Sequence, residues 1–228
     1  MKIKWFSEQA NRETNEDYVL SKKIDKNTSL HIVADGMGGY THGAMASELV
    51  ANIIFDFAER NSHRQDYEFI IEEAIHRANK RVLEQNVNQN TNMGTTIAGI
   101  LMVKHIAYMF WVGDVKILQF RNEKLIFESK DHSLINKLKD NNSTTENIDY
   151  GNISHIVTRS IDGKTDKYLP DFHIAELVDN DRLIICSDGV LERASYEDIS
   201  KLKVDYMDVF SSEYATNRDN ASLILIDV

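Results

Sequence analysis

Residues 30–58 read LHIVADGMGGYTHGAMASELVANIIFDFA, and within them the spacing of the apolar residues changes. Leu30 to Ala34 is a short apolar run with β-branched residues, the mark of a strand. Asp35-Gly36 follows directly, with Gly38-Gly39 next. From Thr41 to Arg60 the positions Ala44, Ala46, Leu49, Val50, Ile53, Ile54, Phe57 and Ala58 recur at steps of three and four, as on one face of a helix. A strand therefore ends on an acidic turn and hands over to a long amphipathic helix.

Outward from this stretch the same two periods recur. A second helical pattern runs from about Tyr67 to Val87, through Ile70, Ile71, Ala74, Ile75, Ala78, Val82 and Leu83. The two helices read as an antiparallel pair joined near Asn61-Ser62. Ile3 to Phe6 and Tyr18 to Leu20 precede them as strands. Four short strand-like pieces follow, Thr96 to Val103, Ile106 to Val112, Ile117 to Phe120 and Leu125 to Phe127. Their connections, Lys104-His105, Gly113-Asp114 and Arg121 to Lys124, have turn chemistry and suggest hairpins. Asp131 to Lys139 reads as a short helix, and Asp140 to Asn152 as a polar loop without apolar period. Strand-like runs return at Ile153 to Val157, Phe172 to Leu177, Arg182 to Cys186 and Ala221 to Val228, with helical stretches between Tyr196 and Tyr214. No internal repeat or domain boundary is visible, so residues 1–228 are expected to form one domain of antiparallel α+β class.

The chain carries 26 Lys and Arg against 36 Asp and Glu, a formal charge of −10. That argues against a nucleic-acid binder, whose affinity comes from clustered cations. Asp179 to Val228 alone holds 11 acidic and 5 basic residues, a surface that could select basic target segments. The single cysteine, Cys186, lies inside an apolar strand and reads as a buried core thiol, with no second cysteine for a disulfide or thiolate metal site. No signal-peptide pattern opens the chain, and no apolar run approaches the ~20 residues needed to span a bilayer. The expectation is a soluble, cytoplasmic protein with no membrane partner, and nothing demands more than a monomer.

The chemistry lies in where particular aspartates fall. Asp35 and Asp188 each follow an apolar strand run and precede a glycine; Asp114 follows Phe110 to Gly113; Asp219 stands before the last strand; Asp17 stands before the strand run at Tyr18. Carboxylates at strand ends can converge on one rim of a sheet, where like charges are unstable unless protonated or neutralised by cations. Ligation by oxygen alone selects hard ions, Mg²⁺ or Mn²⁺ with Ca²⁺ as another possibility, over Zn²⁺. Gly36 lets the backbone approach such an ion and offer its carbonyl.

In combination these pieces resemble the PPM-type metal-dependent Ser/Thr protein phosphatases, the protein phosphatase 2C family, in their compact bacterial form. The matching segments run in the family's order: Arg12-Glu13-Thr14-Asn15-Glu16-Asp17, Asp35-Gly36-Met37-Gly38-Gly39 with Gly43 and Ala46-Ser47, Met93-Gly94-Thr95-Thr96, Val112-Gly113-Asp114, Asp131-His132-Ser133-Leu134, Ile156-Val157-Thr158-Arg159, Cys186-Ser187-Asp188-Gly189, and Asp219-Asn220. The resemblance implies a four-layer α-β-β-α sandwich, two central and mainly antiparallel sheets flanked by helix pairs, with two Mn²⁺ or Mg²⁺ ions at one end. Asp35 would bridge both ions and the Gly36 carbonyl would ligate one. Asp188 and Asp219 would hold the other, with Asp17 beside them, ligating directly or through a water. Glu16 would be a neighbour rather than a ligand. Asp114, with Asp188, resembles the site of a third, weaker ion.

The implied reaction is hydrolysis of phosphoserine and phosphothreonine by a metal-activated bridging water, without a phosphoenzyme, on phosphorylated proteins and in opposition to a Ser/Thr kinase. Arg12 would clamp the phosphate through paired hydrogen bonds. Thr95 and Thr96 would support the rim, and Met93 and Trp111 would be core. The chain also departs from the family pattern. Met37 replaces the histidine that eukaryotic relatives carry, so the general acid is a metal-bound water or, second, His42. Tyr40 stands where bacterial members commonly have His, and Val115-Lys116 replaces the usual Ser-Arg after Asp114. The alternative function is a pseudophosphatase, a regulatory binding module without turnover.

Overall fold

The computed structural model describes residues 1–37, 41–140, 156–164 and 167–228. Ten strands among them form two five-stranded antiparallel sheets. Sheet I has the order β1 (Lys2–Glu8), β10 (Ala221–Asp227), β9 (Asp181–Cys186), β6 (Lys116–Arg121), β7 (Lys124–Glu128). Sheet II has the order β2 (Asp17–Lys23), β3 (Thr28–Met37), β4 (Gly94–Val103), β5 (Ile106–Val112), β8 (Asp171–Glu176).

Each central strand is covered on both faces, which is why Leu30, Ile32, Val33 and Ala34 are all buried apolar residues rather than alternating with exposed ones, with His31 buried among them. On β3, Leu30, Ile32 and Ala34 pack under the helices α1 (Thr41–Asn61) and α2 (Tyr67–Gln89), beside Val50, Ile54, Ile71, Ala74 and Ile75. Val33 points the other way, into the layer between the sheets, with Ile100, Met109, Trp111, Ile117, Ile185 and Ile224. Each such aliphatic side chain removed from water contributes about 1.5–3 kcal/mol. The outer face of sheet I is covered by the short helices Asp188–Leu191, Tyr196–Lys201 and Met207–Ser212. There Phe6 stacks on Tyr214 with ring centroids 5.5 Å apart. The layer order is α-β-β-α, with long paired helices on one side and short helical pieces on the other.

Most of the expected elements lie where the periodicity puts them. Gly113-Asp114 is an exception, because β5 belongs to sheet II and β6 to sheet I. The turn chemistry there serves a crossing between sheets, since β5 pairs with β4 and β8 while β6 pairs with β9 and β7. Asp140 closes the short helix α3 (Leu134–Asp140), and the rest of the predicted polar loop lies outside the described residues. Of the run Ile153 to Val157 only Ile156 and Val157 are described, and Val157 makes an isolated bridge to Ser133 instead of joining a sheet. Among the described residues, no helix is long and apolar enough to cross a membrane.

Candidate metal centre

The antiparallel register brings the first two aspartates together. Asp17 opens β2 opposite Asp35 on β3, and Asp35 lies opposite Thr96 on β4. Asp188 follows β9, Asp219 precedes β10, and Asp114 sits in the crossing between sheets. The ends of both sheets thus meet at one rim. The Ser187 hydroxyl, at the end of sheet I, donates to Asp17 Oδ2 across the gap at 2.8 Å. Thr95 Oγ1 donates to the Asp35 carbonyl at 2.7 Å, in the supporting role expected for it.

Gly36 is held between two backbones. Its N–H donates to the Glu16 carbonyl at 3.1 Å, and a Cβ on it would stand 2.2 Å from the Gly43 carbonyl oxygen. Only glycine lets the end of β3 pass this close to the first turn of α1. Asn220 ties the Arg12–Asp17 segment to β10: its Oδ1 accepts from the Glu16 N–H at 2.9 Å, while its Nδ2 donates to the Gln9 carbonyl at 2.7 Å. Arg12 reaches the rim and donates to Asp219 Oδ2 at 2.6 Å.

The electrostatics are those of a like-charge cluster. Burial pushes the Asp17 carboxyl up to about 7, with Asp188 and Asp219 adding to the shift and hydrogen bonds from Ser222 and Ser187 opposing it. Asp35 is raised well above the ordinary carboxylate range, first by burial and then by Asp17, Asp188, Asp114 and Asp219. Asp188 is pushed up to about 6 by the mass of surrounding protein, then by Asp114 and Asp219. Solvent nonetheless reaches Asp188, which softens that shift and leaves the rim open to an entering ion. Asp114 is raised chiefly by burial.

No cation is hydrogen-bonded to Asp17, Asp35, Asp114 or Asp188 among the described residues. Two oxygens at the same rim, Glu16 Oε1 and Thr96 Oγ1, are buried without a hydrogen-bond partner. An oxygen-only donor set, mutual repulsion and unpartnered buried oxygens all fit hard divalent cations and their waters. The carboxylates face one another without closing on a point: among the described residues no three His, Cys, Asp or Glu side chains already stand around one ion position.

The remaining sequence candidates fall outside this group. Glu16 stands beside it, its carboxyl raised by burial. His42 lies half-buried in the first turn of α1 and makes no described hydrogen bond. Met93 and Trp111 are core, and Cys186 is fully buried. Gly38, Gly39 and Tyr40 lie outside the described residues. Sequence reasoning assigned no role to Ser187, Asn220 or His132, although each sits inside a quoted motif next to an aspartate; that adjacency was the available signal.

The protein phosphatase 2C family matches residues 7–223. Protein phosphatase PhpP of Streptococcus pneumoniae is 31% identical over 195 residues, 82% of this chain and 78% of that protein. The serine/threonine phosphatase stp of Listeria welshimeri is 27% identical, over 95% of this chain and 91% of that protein. Among solved structures, the Streptococcus agalactiae serine/threonine phosphatase superposes with a TM-score of 0.87 at 26% identity, covering 100% of this chain and 99% of that one. The catalytic domain of PstP, solved with two manganese ions, shares the fold with a TM-score of 0.74 at 22% identity, over 99% of this chain and 97% of that one. A two-sheet sandwich with an aspartate rim at one end defines a class of phosphatase folds. This chain belongs to the protein phosphatase 2C family, the PPM-type Ser/Thr phosphatases.

Proposed function

We propose that residues 1–228 act as a single catalytic domain, a Mn²⁺- or Mg²⁺-dependent protein serine/threonine phosphatase whose ions are held at the aspartate rim. The observation that carries this reading is the convergence of five aspartates from the ends of both sheets, four of them raised in pKa with no cation bonded to them among the described residues. Asp35, central to that repulsion, would hold both ions, with the Gly36 carbonyl on one. Asp188 and Asp219 would hold the other, with Asp17 ligating directly or through a water. Asp114, with Asp188, would take a third. When bound, such ions supply hydroxide near neutral pH and offset charge on the phosphoryl oxygens.

The chain's own residues do the rest. Arg12 is half-exposed and held at the rim by one Nη2 contact to Asp219. Its other N–H groups are available to phosphoryl oxygens, which guanidinium can bind in pairs. Cys186 supplies no phosphoenzyme route, since burial pushes its thiol up to about 12 and keeps it protonated. The proton for the leaving alkoxide comes from water at the rim or, second, from His42. The substrates are phosphoproteins, and the working setting is a monomer in the cytoplasm opposing a Ser/Thr kinase. A pseudophosphatase is not supported, because Arg12, Asp35, Asp188 and Asp219 are all present.

The test is turnover of p-nitrophenyl phosphate and of a phosphothreonine peptide. Hydrolysis that requires added Mn²⁺ and stops with EDTA is expected. Metal-saturated protein that cleaves neither ester overturns the reading.

A further inference from the structure

The step from sheet II to sheet I is only a few residues long and carries Asp114. Gly113 takes a φ of 111°, and a Cβ there would stand 2.3 Å from Thr96 Cβ, so the turn admits glycine alone. Between the end of β5 and the start of β6 no strand ladder holds the chain. The hold comes from His132, which is buried at 8% exposure. The Gly113 N–H donates to His132 Nδ1 at 3.0 Å, and the His132 N–H donates back to the Gly113 carbonyl at 2.8 Å.

An Nδ1 that accepts a backbone N–H carries no proton, so the ring proton is on Nε2. Nε2 faces Asp171 Oδ2 at 3.2 Å, off the line of a regular hydrogen bond. Asp171 is in turn held by Arg159 Nη1 at 2.7 Å. The ring lies against Trp111, with centroids 6.4 Å apart and planes 20° from parallel. The His132 carbonyl accepts from the Thr158 N–H at 2.7 Å and from its hydroxyl at 2.9 Å. The imidazole is thus fixed from several sides, and its one precise polar bond is spent on the residue before Asp114. Val115 and Lys116, which replace the family's Ser-Arg, take no part in this hold. Val115 is buried between the sheets, and Lys116 turns to Asp131 and Glu128.

We propose that His132 is a positioning residue for Asp114: its Nδ1 fixes the Gly113 N–H, and so aims the next carboxylate at the site of the third, weaker ion. The proposal rests on the reading of Asp114 as a ligand of that ion. Losing the acceptor loosens the weak site and spares the tight pair at Asp35.

Two substitutions separate positioning from simple space-filling. His132→Asn keeps an oxygen near the place of Nδ1, whereas His132→Gln keeps a polar group only toward Nε2. Calorimetric titration of metal-free full-length protein with Mn²⁺ is expected to show tight events unchanged in both variants. The weak event stays within about 3-fold of wild type in His132→Asn and weakens at least 10-fold in His132→Gln. The ¹⁵N resonance and hydrogen exchange of the Gly113 amide follow the same order, with protection kept in the asparagine variant and lost in the glutamine variant.

Asp114→Asn is the control. If it leaves the weak event untouched, the third-ion reading fails and takes this proposal with it. If it abolishes the weak event while His132→Gln binds like wild type, only the role of His132 is overturned. Equal weakening in both His132 variants also overturns it, since space-filling alone predicts that. Should the glutamine variant not fold, Gly113 exchange in His132→Asn decides: protection near wild type supports the proposal, and a 10-fold loss overturns it.

Discussion

One aspartate opens strand β9 and another lies just past its end, and the two are in opposite electrostatic states. Asp181, at its start, accepts from Arg121 Nε at 2.7 Å and Nη2 at 2.8 Å, from Gln119 at 3.2 Å and from the Val178 N–H at 3.1 Å. The Arg121 bond, ahead of the others, holds its carboxyl below the usual carboxylate range. Asp188, just past the other end, is pushed up to about 6, first by the mass of surrounding protein and then by its neighbours Asp114 and Asp219. At the same end of the sandwich as Asp181, Asp227 at the end of β10 is likewise gripped by Arg182 at 2.7 and 3.1 Å. Asp181 is the better shielded from water of the two on β9, so exposure does not decide the sign. The number and charge of the donors does. One end of the sandwich pairs its carboxylates with arginines, and the other is the end proposed to take cations from outside the chain.

Asp35→Asn breaks the open end most directly. Removing the carboxylate expected to bridge both ions should lower Mn²⁺-dependent hydrolysis of p-nitrophenyl phosphate by at least ~1,000-fold. The metal-free variant should melt no lower than wild type, because a repelled charge is gone; near-normal turnover would contradict the assignment. Arg12→Ala should cost about 100-fold in kcat/KM on a phosphothreonine peptide while Mn²⁺ affinity is kept, read by steady-state kinetics alongside calorimetry.

At the closed end the expected loss is stability. Asp181→Ala strips Arg121 and Gln119 of their shared acceptor and should lower Tm by about 5 °C, with or without Mn²⁺, leaving turnover intact. The two ends also differ in pH response. Asp17 and Asp188 are raised to about 7 and about 6, so the stability they allow is fully present below their unfolded pKa and is lost as pH rises through those values. Metal-free protein should therefore gain Tm between pH 7 and pH 5, and saturating Mn²⁺ should cancel that gain; a flat metal-free profile would count against the cluster. The smallest effect belongs to His31, lodged between Ser21 Oγ at 2.8 Å and Ser29 Oγ at 2.9 Å and lowered by burial to about 4. Its contribution is present above the unfolded value and lost as pH falls from about 6.5 toward 4, so His31→Gln should flatten the acid limb of the melting profile.

Periodicity carried the layers because each helix and strand declares its buried face locally. Leu30 to Ala34, the α1 positions and the hairpin β4–β5 all lie where their spacing puts them. The failures came where a choice between layers had to be made. Gly113-Asp114 looks the same in sequence whether it closes a hairpin or carries the chain from one sheet to the other, and that choice rests on pairing with β8 and β9, far away in sequence. Likewise the motif order grouped five aspartates at one end of the sandwich, but nothing local showed how Asp181 would be neutralised at the other. Asp181 opens β9 and Asp188 lies seven residues on, just past its end, and the two differ in role because Arg121 is paired beside only the first.

The sequence by itself determined the residue types at the strand ends, the helix that follows Asp35, and the membership in a phosphatase family, since these depend on local spacing and on motif order. The tertiary structure alone decided the register that sets those carboxylates against one another, that Ser187 and Asn220 brace their rim, and that His132 grips the turn before Asp114. Those relations join residues as much as 211 positions apart, and hydrogen-bond geometry over such distances is set by the packing of the two sheets, which no local pattern encodes.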